Sequence, residues 1–243
     1  MTIQLIFQLE WTRLFNILIS QSFIILIFAI IIYKVLARRT DRATLFLSGF
    51  YITISTGLIF NITFISLLLG NVTTNSILYP IYYLSSFLTI FAFIFIVIFL
   101  IHIYNIQSVF SIKKSLIIII SYAIICFLVL VFPAGITINE ANNWTPIYSW
   151  EFLIFLYIIF SFIIFMPTLI YSYKLLKMIQ APSLRKKLKQ LIMGVIGLSV
   201  LFYGVILYNT WHNPLFRVVW SLLTFIFIIP SSIFIYYGIA QNL

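Results

Sequence analysis

The sequence predicts an all-α membrane protein, a bundle of seven transmembrane helices with its N-terminus outside and its C-terminus inside. Composition is the first reason: 64% of the 243 residues are hydrophobic, 7% are charged and the mean hydropathy is +1.21. Soluble domains carry about 25% charged residues, so a water-exposed globule is excluded. The second reason is a series of apolar runs, and the third is the placement of the basic residues between them.

Twelve of the fourteen lysines and arginines fall into three clusters, which recur after every second apolar run. Lysine and arginine are retained on the cytoplasmic side of a bilayer, so these clusters predict both the number of crossings and their direction. We expect a multi-pass protein of the cell membrane, with all of residues 1–243 in one domain. The clusters are Lys34, Arg38, Arg39 and Arg42; Lys113 and Lys114; and Lys174, Lys177, Arg185, Lys186, Lys187 and Lys189.

The first four spans are predicted at residues 14–36, 44–69, 77–103 and 115–132. Each is close to the roughly 20 apolar residues that a helix needs to cross a bilayer. No charged residue lies between Ala43 and Ile112, a stretch long enough for two crossings. The polar segment 70–75 is a turn signal and separates them.

The last three spans are predicted at residues 147–173, 188–207 and 218–237. Between the first two of these lies half of the cytoplasmic charge, and both helices are expected to extend beyond the headgroups. The sequence Ala181-Pro182-Ser183 interrupts the chain, and Ser183 is predicted to cap a new helix that begins at Leu184. Pro167 and Pro230 interrupt spans five and seven, where a kink permits bending.

Three glycines of span six, Gly194, Gly197 and Gly204, lie near one helix face, because separations of three and seven residues return to nearly the same side. Small residues on one face allow close helix contact in a membrane. We expect internal packing there, and the alternative is the interface of a homodimer.

The tryptophans give a second, independent indication of the direction of insertion, because tryptophan prefers the boundary between membrane and water. All five fall at span ends that the basic clusters assign to the outside: Trp11, Trp144, Trp150, Trp211 and Trp220.

Chemically active groups are scarce in the apolar runs, so we predict that the protein is not an enzyme. The only acids are Glu10, Asp41, Glu140 and Glu151, and none is placed at mid-membrane, which argues against a proton relay. The predicted last span contains no lysine, which excludes a retinal Schiff base. The lone Cys126 and the absence of clustered histidines predict no metal and no cofactor.

The formal charge of +10 and the pI near 9.7 would suggest a nucleic-acid partner in a soluble domain. Here the basic residues flank membrane spans, where they contact anionic lipid headgroups. We therefore expect membrane lipids and no nucleic acid as partners.

The outer rim offers one candidate ligand site, made of Trp150, Glu151, Trp211 and His212. Aromatic walls with a few polar groups suit a small-ligand pocket, and a carboxylate beside tryptophan can hold a cation. The alternative is that these tryptophans form only an interfacial belt.

The chain resembles the seven-helix sensor region at the N-terminus of some prokaryotic histidine kinases. The residues that carry the likeness are the basic segment 185–190 leading into 191–194, Pro230 with the segment 236–240, and the expected orientation of the whole chain. In that family a cytoplasmic signalling domain follows the last span. This chain ends at Leu243, so the resemblance implies that catalytic output comes from another polypeptide.

The leading hypothesis is a membrane sensor or signalling module without its own catalytic output domain, which passes an extracellular or in-membrane stimulus to a cytoplasmic partner. Its expected output surface is the basic segment Arg185, Lys186, Lys187 and Lys189. Two alternatives remain open: a non-catalytic structural subunit of a membrane complex, and a facilitator for a neutral solute.

Overall fold

The structure, a computed structural model, describes residues 3–38, 41–70, 74–104, 111–133, 135–142 and 144–240. Side chains are described from residue 18 onward, except at positions 38, 75, 225, 236, 239 and 240. The predictions that concern the side chains of Glu10, Trp11 and Arg39, and the turn at 71–73, lie outside the described residues.

Within those residues the chain forms eight α-helices and seven spans that are long and apolar enough to cross a membrane, as the sequence predicts. Span five is Trp150–Met178, in which a π-helix (Phe160–Phe165) joins two α-helices. The chain is therefore a multi-pass integral membrane protein. The helices are α1 (Ile3–Arg38), α2 (Arg42–Leu69), α3 (Asn75–Tyr104), α4 (Ile112–Leu130), α5 (Trp150–Ile159), α6 (Met166–Met178), α7 (Pro182–Thr210) and α8 (Pro214–Ala240).

Six of the spans close into a ring, because each packs against the next and α1 packs against α8. In order around the ring these are α1, α2, α3, the α5–α6 span, α7 and α8, while α4 lies outside and contacts α3 and α5. The spans α3 and α7 are the most buried. In the middle of the bundle Phe93, Phe160 and Phe202 meet, with ring centroids 4.2 to 5.3 Å apart.

Short connections make neighbouring helices antiparallel, so the bundle has two distinct ends. At one, which we call the basic end, α1 stops at Arg38, α2 and α4 begin, and α6 passes into α7. The other, the hairpin end, holds the α4–α5 and α7–α8 connections. The described tryptophans lie at the hairpin end: Trp144, Trp150, Trp211 and Trp220.

The α4–α5 connection contains the only strands in the described part of the chain. Strands β1 (Ile136–Thr137) and β2 (Ile147–Tyr148) pair antiparallel, with Ile136 opposite Tyr148. The predicted start of span five at residue 147 is therefore wrong by three residues, because the pairing holds residues 147 and 148 extended. The helix begins at Trp150, after the Ser149 side chain accepts a hydrogen bond from the Phe152 amide.

The start of α7 also differs from the prediction that Ser183 caps a helix beginning at Leu184. The N-cap is Ala181, which makes no side-chain cap bond, and Pro182 is the first helical residue. Proline suits that position because its fixed backbone angle is helical and its missing amide would have no intrahelical partner. The predicted extension of spans five and six beyond residues 173 and 188 is observed, since α6 ends at Met178 and α7 begins at Pro182.

The glycine face of α7 packs inside the bundle, as expected, and its neighbour is α8. A Cβ built at Gly194 would lie 2.7 Å from the Ser231 carbonyl oxygen, and one at Gly197 would lie 2.1 Å from Ser231 Oγ. A Cβ at Gly204 would overlap the Trp220 ring at 1.6 Å. Residues of α8 therefore occupy this glycine face of α7.

Candidate functional site

Span five is discontinuous, and its break lies between the hairpin end and the basic end. Pro167 has no amide hydrogen and its ring crowds the carbonyl four residues earlier, so regular α-helical bonding fails just before it. The π-helix Phe160–Phe165 accommodates the interrupted hydrogen bonding, because the Met166 amide donates to the Ser161 carbonyl oxygen, five residues earlier. Such a turn holds one extra residue and is found often at functional sites. Proline marked the position in the sequence, but not this geometry.

The break is anchored to α7 by two hydroxyl groups. The Tyr157 hydroxyl donates a hydrogen bond to the Tyr203 carbonyl oxygen, with the two oxygens 2.5 Å apart. The hydroxyl oxygens of Ser161 and Tyr203 are also hydrogen-bonded, at 2.5 Å. The Tyr157 and Tyr203 rings meet edge to face, 4.8 Å apart. The upper part of span five therefore moves together with α7 or has to break these bonds.

Below the break a cavity of about 10 Å³ lies inside the ring of helices. Tyr51, which lines it, is nine residues from the start of α2, or roughly 14 Å at the helical rise, so the cavity is in the part of the bundle nearest the basic end. Helices α2, α3, α6 and α7 supply its walls: Leu47, Tyr51, Ile96, Phe99, Leu100, Thr168, Ser172, Leu191, Ile192 and Val195.

Three hydroxyl groups line this otherwise apolar cavity, and all three residues are at most 2% exposed. They belong to Tyr51 on α2 and to Thr168 and Ser172, one turn apart on α6. In the described part of the chain none of these hydroxyl oxygens has a hydrogen-bond partner. Sequence reasoning missed them; the available signal was the four-residue spacing of Thr168 and Ser172 in an apolar span.

The predicted output segment lies at the basic end, on the first turns of α7. Arg185, Lys186 and Lys189 are exposed and Lys187 is half-buried, while Leu188 between them is 8% exposed and faces the core. A helix N-terminus carries a partial positive charge, so these side chains add to it. The segment is a strongly positive surface, joined to α6 by only three residues, 179–181.

Other contacts at the basic end fix neighbouring helices to one another. His102 Nε2 lies 3.0 Å from Ser115 Oγ and ties α3 to α4, while its ring stacks on Phe46. The Lys174 ammonium lies 5.4 Å from the centroid of the Tyr104 ring, which joins α6 to the end of α3. Asp41, the acid of the first basic cluster, caps α2 through the Thr44 amide.

A buried polar network closes the hairpin end. The hydroxyl oxygens of Tyr82 on α3 and Tyr148 on β2 are 2.6 Å apart, and the side chains of Ser86 and Asn209 also hydrogen-bond Tyr148. Burial raises the pKa of the Tyr148 phenol above its ordinary 10.0, and these hydrogen bonds oppose the rise only in part. The Tyr148 phenol therefore stays protonated at neutral pH. The stability that its protonated form contributes is fully present below pH 10.0, and it is lost as the pH rises through the raised pKa of Tyr148.

Removing one hydroxyl from this network should cost stability. We expect Tyr148→Phe to lower the free energy of unfolding by about 1–3 kcal/mol, because the buried network loses the hydroxyl group to which Tyr82 is hydrogen-bonded. Thermal unfolding in detergent measures the change. Tyr33→Phe is the control, since that side chain is 75% exposed and its hydroxyl should matter little. Equal melting temperatures for the two variants would contradict the network.

The four predicted ligand residues lie at the hairpin end, each in a position with a local structural role. Trp150 and Glu151 form the first turn of α5; Trp150 is 53% exposed, and the Glu151 carboxylate favours the positive end of that helix. Trp211 follows the last turn of α7, and its ring packs against the Phe216 ring at a tilt of 31°, with the centroids 5.0 Å apart. His212 Nδ1 lies 3.0 Å from the Thr210 carbonyl oxygen.

The structure thus brings these residues to one end of the bundle, two at the start of α5 and two just after the end of α7, and these two helices pack against each other. All four side chains are exposed. The enclosed cavity is at the other end and is lined by different residues.

Comparisons with known proteins identify no relative: no family model matches the chain, and no curated protein shows significant similarity to it.

Proposed function

We propose that this integral membrane protein is a sensor or signalling module that passes a stimulus from the hairpin end to a cytoplasmic partner at the basic end. The observation that supports the proposal most is the break in span five. The same span begins with two candidate input residues and contains, near its middle, the π-helix followed by Pro167. A three-residue connection joins its end to the helix that carries the positive segment. The protein would act without catalysing a reaction.

The input would be a ligand or membrane state that acts on Trp150, Glu151, Trp211 and His212. A carboxylate next to a tryptophan, as Glu151 is next to Trp150, suits a cationic group. Trp150 and Glu151 are the first residues of α5, so binding there pulls on the span that holds the break. Trp211 and His212 end α7, so the same event would act on both helices that Tyr203 ties together.

The break gives the span two possible arrangements. A π-helix holds one extra residue in an α-helix. If that extra residue moved toward the basic end, the part of α6 that it passed would turn by roughly 100°. Helix α6 lies below the break and connects to α7 through residues 179–181. A turn of α6 would therefore displace the positive segment at the start of α7.

The output would be an acidic surface of a cytoplasmic protein, docked on Arg185, Lys186, Lys187 and Lys189. Positive charge beside a helix N-terminus is unfavourable without a counter-charge, so an anionic partner or anionic headgroups stabilise this segment. The assignment of the basic end to the cytoplasm rests on the positive-inside rule. The likeness to the sensor region of histidine kinases points to a signalling protein as the partner.

Charge reversal tests the output half. Arg185→Glu combined with Lys186→Glu should abolish co-purification of a cytoplasmic protein with the chain from native membranes, because two positive charges of the docking surface become negative. The control is Lys113→Glu with Lys114→Glu, which removes the same charge from the first turn of α4 at the same end. Recovery of the same partner with both variants would contradict the proposal, provided that a tag shows unchanged insertion of each.

A further inference from the structure

The cavity between α2, α3, α6 and α7 carries an inference that does not depend on the proposed function. Tyr51, Thr168 and Ser172 are 0%, 2% and 2% exposed, and all three line the same small space. A hydroxyl group buried without a hydrogen bond destabilises a protein by about 1–3 kcal/mol. Three such groups around one cavity are too unfavourable to be left without a shared partner.

These hydroxyl groups have not adopted the arrangement that many other hydroxyls in the described spans use, which is to donate to the carbonyl oxygen four residues earlier. Ser48 and Ser55 on α2 also have no partner among the described residues, but neither lines the cavity. The half-buried or buried residues that do make the bond are Thr56, Thr89, Ser199, Thr210, Thr224 and Ser232. Thr168 and Ser172 make no such bond. Their side chains leave the helix backbone and lie at the cavity wall instead.

The third hydroxyl group is held in place by its ring. The Tyr51 ring lies 5.0 Å from Phe28 on α1 and 5.1 Å from Phe50, centroid to centroid. With the ring packed on two sides and fully buried, the phenol oxygen cannot turn to the headgroup layer for water. Its partner has to come to the cavity.

The size and charge of the cavity define that partner. A volume of about 10 Å³ corresponds to one water molecule, which needs roughly 10–15 Å³ by the same measure and two to four polar partners. None of the lining residues is charged, and an unpaired ion inside an apolar span costs several kcal/mol, so a neutral molecule fits.

We propose that one water molecule occupies this cavity and hydrogen-bonds Tyr51, Thr168 and Ser172. A water can accept hydrogens from two of the hydroxyl groups and donate to the oxygen of the third. It thereby links α2 to α6 below the break in span five. The sequence analysis identified none of these three residues as part of a site.

The test uses the sign of a stability change. If the cavity is dry, removing an orphaned hydroxyl should leave the melting temperature unchanged or raise it. If water is bound, each of Tyr51→Phe, Thr168→Val and Ser172→Ala should lower it by about 2–4 °C. The control is Ser199→Ala on α7, whose equally buried hydroxyl already bonds the Val195 carbonyl and contacts no shared molecule.

Combining variants separates a shared water from three independent effects. The loss in the double variant Tyr51→Phe with Thr168→Val should be well below the sum of the single losses, because either change already releases the same molecule. A density map that resolves ordered water should show one peak in the cavity. Strictly additive losses, unchanged or raised melting temperatures, or an empty cavity in that map would each overturn the proposal. So would a rise in melting temperature specific to Na⁺ over K⁺, which would indicate a cation instead.

Discussion

Gly194→Ala should separate α7 from α8 and lower the free energy of unfolding by about 3 kcal/mol or more, at the upper end of the usual cost of overpacking. The added Cβ would lie 2.7 Å from the Ser231 carbonyl oxygen and 2.9 Å from the Ile235 amide nitrogen. Both are backbone atoms of the neighbouring helix, so no side-chain rotation relieves the contact. Thermal unfolding of the purified protein should show a melting temperature lower by about 6–12 °C.

Two further glycines serve as controls for that result. Gly70→Ala should change little, because a Cβ there meets nothing closer than 3.4 Å. Gly204→Ala clashes with the Trp220 side chain and not with backbone, so Trp220→Ala should remove the cost of Gly204→Ala. Ile235→Ala should not rescue Gly194→Ala. A tolerated alanine at Gly194, or its rescue by Ile235→Ala, would contradict the close backbone contact between α7 and α8.

Deletion of Phe162 should give a folded protein, although removing a residue from the middle of a transmembrane helix usually destroys the packing beyond it. Phe162 lies in the π-helix and is 69% exposed. Because that helix holds one extra residue, its loss returns the segment to α-helical register, apart from the one bond that Pro167 cannot donate, and leaves both flanking parts of span five facing their present neighbours. Only a shift of about 1.5 Å along the axis remains to be absorbed.

The matched deletion is Val200, an exposed residue in the uninterrupted helix α7. Its loss would rotate everything after it by about 100°, so that Phe202 leaves Phe160 and Gly204 leaves Trp220. We expect no monodisperse protein from this variant in size-exclusion chromatography, and a single peak from the Phe162 deletion. Under the proposed function, the Phe162 deletion should also no longer co-purify a cytoplasmic partner, since the span would lose its proposed second arrangement. Equal behaviour of the two deletions would contradict the account of the break.

The number of spans could be predicted from sequence because the physical requirement is severe: a helix in lipid needs about 20 apolar residues, and few other segments supply them. The packing face of α7 was also predictable, since glycine spacing reports directly on how closely two helices approach. The boundaries of the spans were less predictable from the sequence. Ile147 and Tyr148 continue directly into the apolar helix that follows, and only their pairing with Thr137 and Ile136, ten and twelve residues earlier, makes them a strand.

The interior polar groups could not be predicted, because their importance depends on distances between spans. Thr168 and Ser172 are ordinary residues in a membrane helix until Tyr51 of a remote span is placed across the same cavity. Tyr148 is one of 15 tyrosines in the sequence, and its bond to Tyr82 forms only because the hairpin brings the two side chains together. Pro167 indicated an interruption, but which atoms compensate for the lost bond was visible only in the structure.

Cysteine labelling in intact cells tests most directly the claim that the basic end faces the cytoplasm and the hairpin end the exterior. The native Cys126 is buried in α4 and should give little background. A membrane-impermeant maleimide should label Thr145→Cys at the hairpin end in intact cells, and Ser183→Cys at the start of α7 only after lysis. Labelling of Ser183→Cys in intact cells, with Thr145→Cys protected, would contradict the direction of signalling proposed for this protein.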